Sequence, residues 1–510
     1  MLAKTESIAI IGADAHLVEI EVDVSGGLPG FTIVGLPTKS VREAEQRTRS
    51  AIEASGRPWV RQRVVANLAP GGLRKDGTHF DLPLALGLLA GARLIDGKPL
   101  EGWVIIGELA LNGTLRPVRG ALAAAMACRA AGRRGLVCPA SNAPEAALVD
   151  GIEVVPVTTL DDCIRWLAGE LDKGQVAPAG VADEDARAIE DLCEVRGHRG
   201  AKRAAEVAAA GGHNLMLVGP PGSGKTMLAR RLPGILPPMS LDESLEVTRI
   251  SSVAGMLTDR PRLVRERPFR SPHQHVSVAG LVGGGTGLPR PGEISLAHNG
   301  VLFLDELSLY RRDVLEALRA PLEEGIVRIA RSGGVIAYPC RFALVAAMNP
   351  CGCGYLGDSM RACRCSEHQL QIYRSKLSGP LLDRIDIHVG MARLGKGELL
   401  GAGDGESSAD VATRVAAARA AQALRYQPAQ LTNASAPKAQ LEAGLELTSG
   451  ARSGLGMAID ALALSGRGLD RALRVARTIA DLDGRPQVAE DDVSEALSYR
   501  SDHSCLRSAA

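Results

Sequence analysis

The chain has 510 residues and a formal net charge of +1, a length that implies two to four domains with room for sizeable cores. Aromatic residues make up only 3% of it, which disfavours single-strand binding on stacked rings; near-neutrality decides nothing about nucleic acid, because an assembly concentrates a few basic residues in one place. The longest apolar stretch, Leu82 to Ala92, is too short for a bilayer, no stretch reads as a secretory signal, and ten cysteines without one suggest thiols in a reducing cytoplasm away from membranes.

Residues 1–170 alternate strand-like runs, Leu17 to Val24 and Phe31 to Val34, with helical stretches from Ser40 to Ala54 and Ala121 to Ala131, so a mixed α/β domain is expected. Three of its segments resemble the C-terminal proteolytic domain of Lon: Arg74-Lys-Asp-Gly77 followed by an apolar helix, Ile106-Gly-Glu-Leu-Ala-Leu-Asn-Gly-Thr-Leu-Arg-Pro117, and Gly135-Leu-Val-Cys-Pro139. That family works by a Ser–Lys dyad, whose serine falls near His79 here and whose lysine falls near Leu122. The resemblance therefore implies a protease fold without its chemistry, used for assembly or partner binding. Residues 171–188 turn to Gly, Pro, Ala and acidic residues without periodicity and read as a linker.

A motor domain is expected over 189–395. Asp191 to His198 and a helix from Ala201 to Ala210 lead into Gly219, Pro220, Pro221, Gly222, Ser223, Gly224, Lys225 and Thr226, which fit G-x-x-x-x-G-K-[ST]. The apolar run Leu215 to Val218 before it reads as a buried strand, and Met227 to Leu232 after it as a helix whose N-terminus faces phosphates, with Met227 in the nucleotide contact set. Small residues let successive N–H groups turn onto phosphate oxygens, Lys225 adds charge at the β and γ phosphates, and the Thr226 hydroxyl ligates Mg²⁺. ATP and Mg²⁺ are the expected cofactors. Further on, four apolar strand residues after Gly300 deliver Asp305 and Glu306 to the carboxyl end of a sheet, Asp305 to hold Mg²⁺ through water and Glu306 to polarise the attacking water. An apolar run ending in Asp-Glu also simply begins helices. A third strand, Phe342 to Met348, ends at Asn349, either a sensor that orients the water or an Asn-Pro turn.

Cys351, Cys353, Cys363 and Cys365 form C-x-C-x₉-C-x-C directly after that strand. Four soft ligands suit tetrahedral zinc, and four unlinked surface thiols are the alternative.

Arg267-Pro-Phe-Arg-Ser-Pro-His273, Ala279-Gly-Leu-Val-Gly-Gly-Gly285 and Pro289-Arg-Pro-Gly-Glu-Ile-Ser-Leu-Ala-His298 closely resemble the magnesium-chelatase-like AAA+ proteins of the ComM/YifB type. The Gly-rich part fits a loop inserted within a helix, and Ile326 to Ala337 fits a hairpin turning at Ser332-Gly-Gly334. In the wider family both elements point toward a ring pore, where Arg328 and Arg331 would meet DNA phosphates; a solvated hairpin face is the alternative. Leu377-Ser-Gly-Pro-Leu-Leu-Asp-Arg-Ile-Asp-Ile-His388 resembles the family's arginine-finger segment, with Arg384 as the finger or else a surface partner of Asp383. A helical lid is expected over 396–510. Its Gly468-Leu-Asp-Arg-Ala-Leu-Arg-Val-Ala-Arg477 resembles the second sensor, with Arg474 taken ahead of Arg471 and Arg477 a turn either side.

The resemblance spans essentially the whole chain. It implies an α/β fold made of a P-loop AAA+ motor with a helical lid behind an inactive Lon-like domain, acting as an ATP-dependent hexameric DNA helicase. Such a helicase promotes branch migration as incoming DNA is recombined in natural transformation, with single-stranded or branched DNA and recombination proteins as partners. Two other enzyme readings are an ATP-driven protein remodeller and a chelatase motor that inserts magnesium into porphyrin; the Lon-like block and the lack of an integrin-like segment argue against the latter. A non-catalytic scaffold is disfavoured by intact Lys225, Asp305 and Glu306.

Overall fold

A computed structural model of the protein describes residues 1–172, 176, 190–257, 263–285, 289–331, 334–396, 398, 405–462 and 464–501. Strict alternation along Asp14–Ser25 puts Val18, Ile20, Val22 and Val24 on one face, and all four are buried. This strand turns back through Gly12-Ala13 to pair antiparallel with Leu2–Ile11. Around the pair lies a seven-stranded sheet in the order 30–34, 63–69, 14–25, 2–11, 103–105, 135–139, 153–157. The apolar run read as a buried helix is one: every residue of Asp81–Gly91 is buried. It packs so closely that a Cβ on Gly87 would lie 2.8 Å from Val22 Cγ2. Where a single helix is expected from Ser40 to Ala54 there are two, Lys39–Arg42 and Ala44–Ala54. Hydrogen bonds from Thr38 and Ser40 to Asp76 draw the first turn aside.

The second sheet has five strands, all parallel, in the order Phe269–Arg270, Val301–Leu304, Ala343–Met348, Leu215–Val218, Ile387–Gly390. Both faces are covered, which is why its strands read as continuous apolar runs. On one face Leu215, Leu217, Phe303, Val345 and Ile387 pack with the helices Arg199–Gly211 and Lys225–Ile235, and with the lid helices Ser408–Arg425 and Gly466–Leu482. On the other, Met216, Leu302, Leu304, Leu344 and Ala346 pack with residues between Leu281 and Cys340, and with Tyr373 and Leu381.

The two sheets are docked together. Leu245, on the helix Leu241–Ala254, enters the N-terminal core beside Ile8, Val104 and Leu122. In return Ala13 joins Ile329, Ile336 and Tyr338 in the core against the five-stranded sheet, and Arg249 pairs with Asp14 at 2.5 Å. The hairpin Ile326–Arg331 and Gly334–Pro339 forms as read, antiparallel, although Ser332, Gly333 and the Arg331 side chain lie outside the described residues. Nearly all of the expected linker, 171–188, lies outside them too. Among the described residues no helix is long and apolar enough to cross a bilayer.

Candidate nucleotide site

Because the strand Ala343–Met348 runs between Leu215–Val218 and Val301–Leu304, the three motifs that follow these strands emerge side by side at one sheet edge. The turn after Val218 is built from glycine for steric reasons. A Cβ on Gly219 would lie 2.3 Å from Met391 O, and Gly224 (φ +84°) is left-handed as it caps the helix Lys225–Ile235. The unpaired N–H groups of that helix's first turn face the pocket.

The pocket has a volume of about 470 Å³ and is lined by Pro221, Gly222, Ser223, Gly224, Lys225, Thr226, Met227, Asp305, Glu306, Met348 and Asn349. The Thr226 hydroxyl donates to Asp305 Oδ2 at 2.8 Å, so the two hard oxygen ligands expected for Mg²⁺ already share one point. Lys225 Nζ donates to the carbonyls of Gly219 and Pro220 at 2.7 and 2.9 Å and to Asn349 Oδ1 at 3.3 Å. Burial pushes its ammonium below the ordinary value, with Asp305 and Glu306 pulling the other way. Glu306 is exposed and has a left-handed backbone, φ +51°, a conformation that costs a non-glycine residue about 1–3 kcal/mol and so needs support from its surroundings. Its N–H donates to Asp305 Oδ1 at 2.9 Å, which turns the chain out of the strand and presents the Glu306 carboxylate to the pocket.

Two supporting residues carry no sequence signal. Tyr373, on the helix Glu367–Ser375, donates to the Asn349 carbonyl at 2.8 Å and accepts from the Ser308 hydroxyl at 2.9 Å. It thereby ties Asn349 to the turn after Glu306, but a tyrosine 24 residues beyond Asn349 announces none of this locally. At the back of the pocket helix, Arg231 holds the segment before the helix Arg199–Gly211 through the Asp191 carbonyl at 2.7 Å and Glu190 at 2.8 Å.

The arginines singled out in the sequence lie elsewhere. Arg384 is folded onto its own chain, donating to the Pro380 carbonyl at 2.6 Å and to Glu323, while its Nε is buried with no hydrogen-bond partner among the described residues. Arg474 is not brought to the pocket. Its NH1 donates to the carbonyls of Asn433 and Ala436 at 2.9 and 2.8 Å, and its Nε to Asp470 at 2.8 Å, so its donors staple the lid. Arg477 is fully buried against Asp481, whereas Arg471 reaches Asp386 at 2.7 Å. Burial alone would raise Asp386, but hydrogen bonding to His213 and the charge of Arg471 outweigh it and hold this carboxyl at about 2. On the hairpin, Arg328 is exposed and paired with Glu324.

The four cysteines do come together. Cys351 Sγ is 3.3 Å from Cys353 and 3.6 Å from Cys363, and the four ligand atoms lie within 4.8 Å of one another. In the N-terminal domain, by contrast, the positions matched in the sequence to the Lon dyad hold Leu122, fully buried, and His79, whose ring meets the Ile8 carbonyl at 2.8 Å. Burial depresses that imidazole to about 4.

Three family models cover most of the chain: magnesium chelatase subunit ChlI over residues 191–399, a second ChlI model over 20–142, and the ChlI C-terminal model over 405–500. An uncharacterized protein of Mycobacterium tuberculosis is 46% identical over 501 residues, 98% of each chain. The competence protein ComM of Haemophilus influenzae is 42% identical over 504 residues, 98% of this chain and 97% of its own, and YifB of Escherichia coli 41% over 501, with the same coverage. A Lon protease of Mycolicibacterium smegmatis is 25% identical over 169 residues, 31% of this chain and 21% of its own.

Proposed function

The chain belongs to the magnesium-chelatase ChlI-like AAA+ family together with ComM and YifB, and we propose that it is an Mg²⁺-dependent ATPase that assembles into a hexamer and drives branch migration of DNA. The observation that carries the ATPase part is the meeting of three separate motifs in one pocket, with Thr226 on Asp305 at 2.8 Å and Lys225 near Asn349 at 3.3 Å. In this reading Lys225 and the backbone N–H groups within 222–226 bind the β and γ phosphates, and Thr226 and Asp305 hold the Mg²⁺ that neutralises them. Glu306 takes the proton of the attacking water as ADP leaves, and Asn349 fixes where that water stands.

The finer assignments rest on the family and on chemistry. Arg384 acts on the phosphate of a neighbouring subunit, so each site is complete only in a ring; its Nε is left without a partner, and Pro380 and Glu323, which hold its other nitrogens, would release it. For the second sensor the reading keeps Arg474, which would have to leave the carbonyls of Asn433, Ala434 and Ala436 that hold it to reach a phosphate. Arg328 and Arg331 contact DNA phosphates from the pore, six copies concentrating charge that the chain as a whole lacks. The four thiols hold zinc. Residues 1–170 act as a protease-inactive Lon-like platform, 171–188 as a linker, 189–395 as the motor and 396–510 as the lid. ComM is named for competence, and the same setting, recombination of incoming DNA in the cytoplasm during natural transformation alongside recombination proteins, is proposed here.

A labelled three- or four-stranded junction tests the reading. ATP should displace the labelled strand, Glu306→Gln should not, and the salt dependence should be steep. If ATP turns over while junctions stay intact, the DNA assignment fails and remodelling of proteins takes its place.

A further inference from the structure

The four-cysteine loop begins two residues after Asn349 and ends at the helix that carries Tyr373, so it joins two groups of the nucleotide site. Its sulfurs are spaced for one ion. Zinc bound to four thiolates at about 2.3 Å sets sulfur–sulfur edges of about 3.8 Å in a tetrahedron. The observed separations of 3.3, 3.6 and 3.5 Å among Cys351, Cys353 and Cys363 sit near those edges, with Cys365 in the same cluster. The backbone is turned to support thiolates as well. Cys365 N–H donates to Cys363 Sγ at 3.4 Å. Four thiolates and Zn²⁺ leave a net charge of about −2, and Arg361 and Arg364 lie within the loop.

The loop is also wedged against the phosphate-binding turn. Gly354 is left-handed at φ +86°, and a Cβ there would lie 2.8 Å from Pro221 Cδ and 3.9 Å from Asn349 Cγ. Its N–H is fixed by the Cys351 carbonyl at 3.0 Å. On the far side Tyr373 holds the Asn349 carbonyl and, through Ser308, the turn after Glu306.

Resting on the nucleotide and zinc readings above, we propose that Cys351, Cys353, Cys363 and Cys365 bind one zinc ion whose work is to position Asn349 and the Pro221 side of the phosphate-binding turn for hydrolysis. Most phosphate contacts belong to 219–226 and survive without the ion; the placement of the water does not. Loss of zinc should therefore lower kcat about tenfold to a hundredfold, the size of effect that a misplacement near 1 Å produces, while ATP affinity changes less than about threefold.

The test uses the full chain purified under reducing conditions. One zinc per chain is expected, and protein reconstituted with cobalt should show the strong visible bands of a tetrahedral thiolate site. Chelation of the folded protein should lower kcat with little effect on ATP affinity, and added zinc should restore it. Hydrogen exchange should rise at 349–366 and 219–226 on chelation even if no condition yields turnover, which separates failure of this proposal from failure of the ATPase reading. Cys353→Ser and Cys363→Ser should each reproduce the chelated protein; if either fails to fold, chelation and rescue of the wild type decide. Protein that carries no zinc and takes up no cobalt overturns the site. Protein whose kcat and exchange are unmoved by stripping the metal overturns the positioning role.

Discussion

In the N-terminal sheet Asp81 is fully buried and takes Arg47 through both oxygens at 2.6 and 2.9 Å, His79 rests on the Ile8 carbonyl, and Glu145 accepts from Leu122 N–H at 3.1 Å. In the motor sheet Lys225, Asp305, Glu306 and Asn349 instead line an open pocket, and Glu306 is exposed on a strained backbone. Both sheets bury polar groups at their connections, but Asp81, His79 and Glu145 are closed onto partners inside the protein, whereas the groups of the second sheet face an open pocket. The polar residues named in the first therefore carry stability, and in the function proposed here those of the second carry chemistry.

The widest separation between the two should come from the motor. Lys225→Ala should abolish ATP binding, and Glu306→Gln should keep it while hydrolysis falls about a hundredfold or more, both read by nucleotide binding and phosphate release. Normal turnover in Glu306→Gln would remove that residue from the role of base. Arg47→Met should do the reverse, lowering stability by about 3–5 kcal/mol because it strands a buried carboxylate, with no loss of intrinsic turnover in protein that remains folded. Burial raises Asp81 to about 6, so the arginine matters less once Asp81 is protonated. The Arg47→Met deficit, measured by denaturant melts, should accordingly shrink between pH 8 and pH 5.

His79 gives a smaller effect of known sign. Its folded value of about 4 lies below the ordinary 6.5, so its stability contribution is complete above 6.5 and is lost as pH falls toward 4, about 3 kcal/mol in all. His79→Gln should flatten that part of the acid limb, and an unchanged limb would show that the ring is charged in the fold. Smallest is Arg328→Ala, which breaks only an exposed pair with Glu324 and should leave stability alone. It should reduce the salt slope of DNA binding by about one unit for each phosphate that Arg328 neutralises.

What the sequence made legible follows the same division. The meeting of Lys225, Thr226, Asp305, Glu306 and Asn349 in one pocket was readable because each follows an apolar strand in a fixed local pattern, and Leu82 to Ala92 because an unbroken apolar run has only one place to go. Tyr373 and Ser308 were not, since nothing at their own positions records a contact made across tens of residues. Arg474 shows the limit differently: three arginines one turn apart look alike in sequence, and only the carbonyls of Asn433, Ala434 and Ala436 distinguish the one committed to the lid. The split of the helix at Glu43 was hidden for a similar reason, because Asp76 lies 36 residues from Ser40.

The central claim is that this chemistry belongs to a ring, with Lys225 of one subunit served by Arg384 of the next, and mixing two inactive variants tests it most directly. Arg384→Ala and Lys225→Ala should each be inactive alone. Combined in equal amounts with ATP and branched DNA, they should regain hydrolysis at about a quarter of the interfaces of a closed ring, the share in which one intact half comes from each variant. Activity in Arg384→Ala alone, or none in the mixture although mixed rings form, would contradict a site shared between subunits.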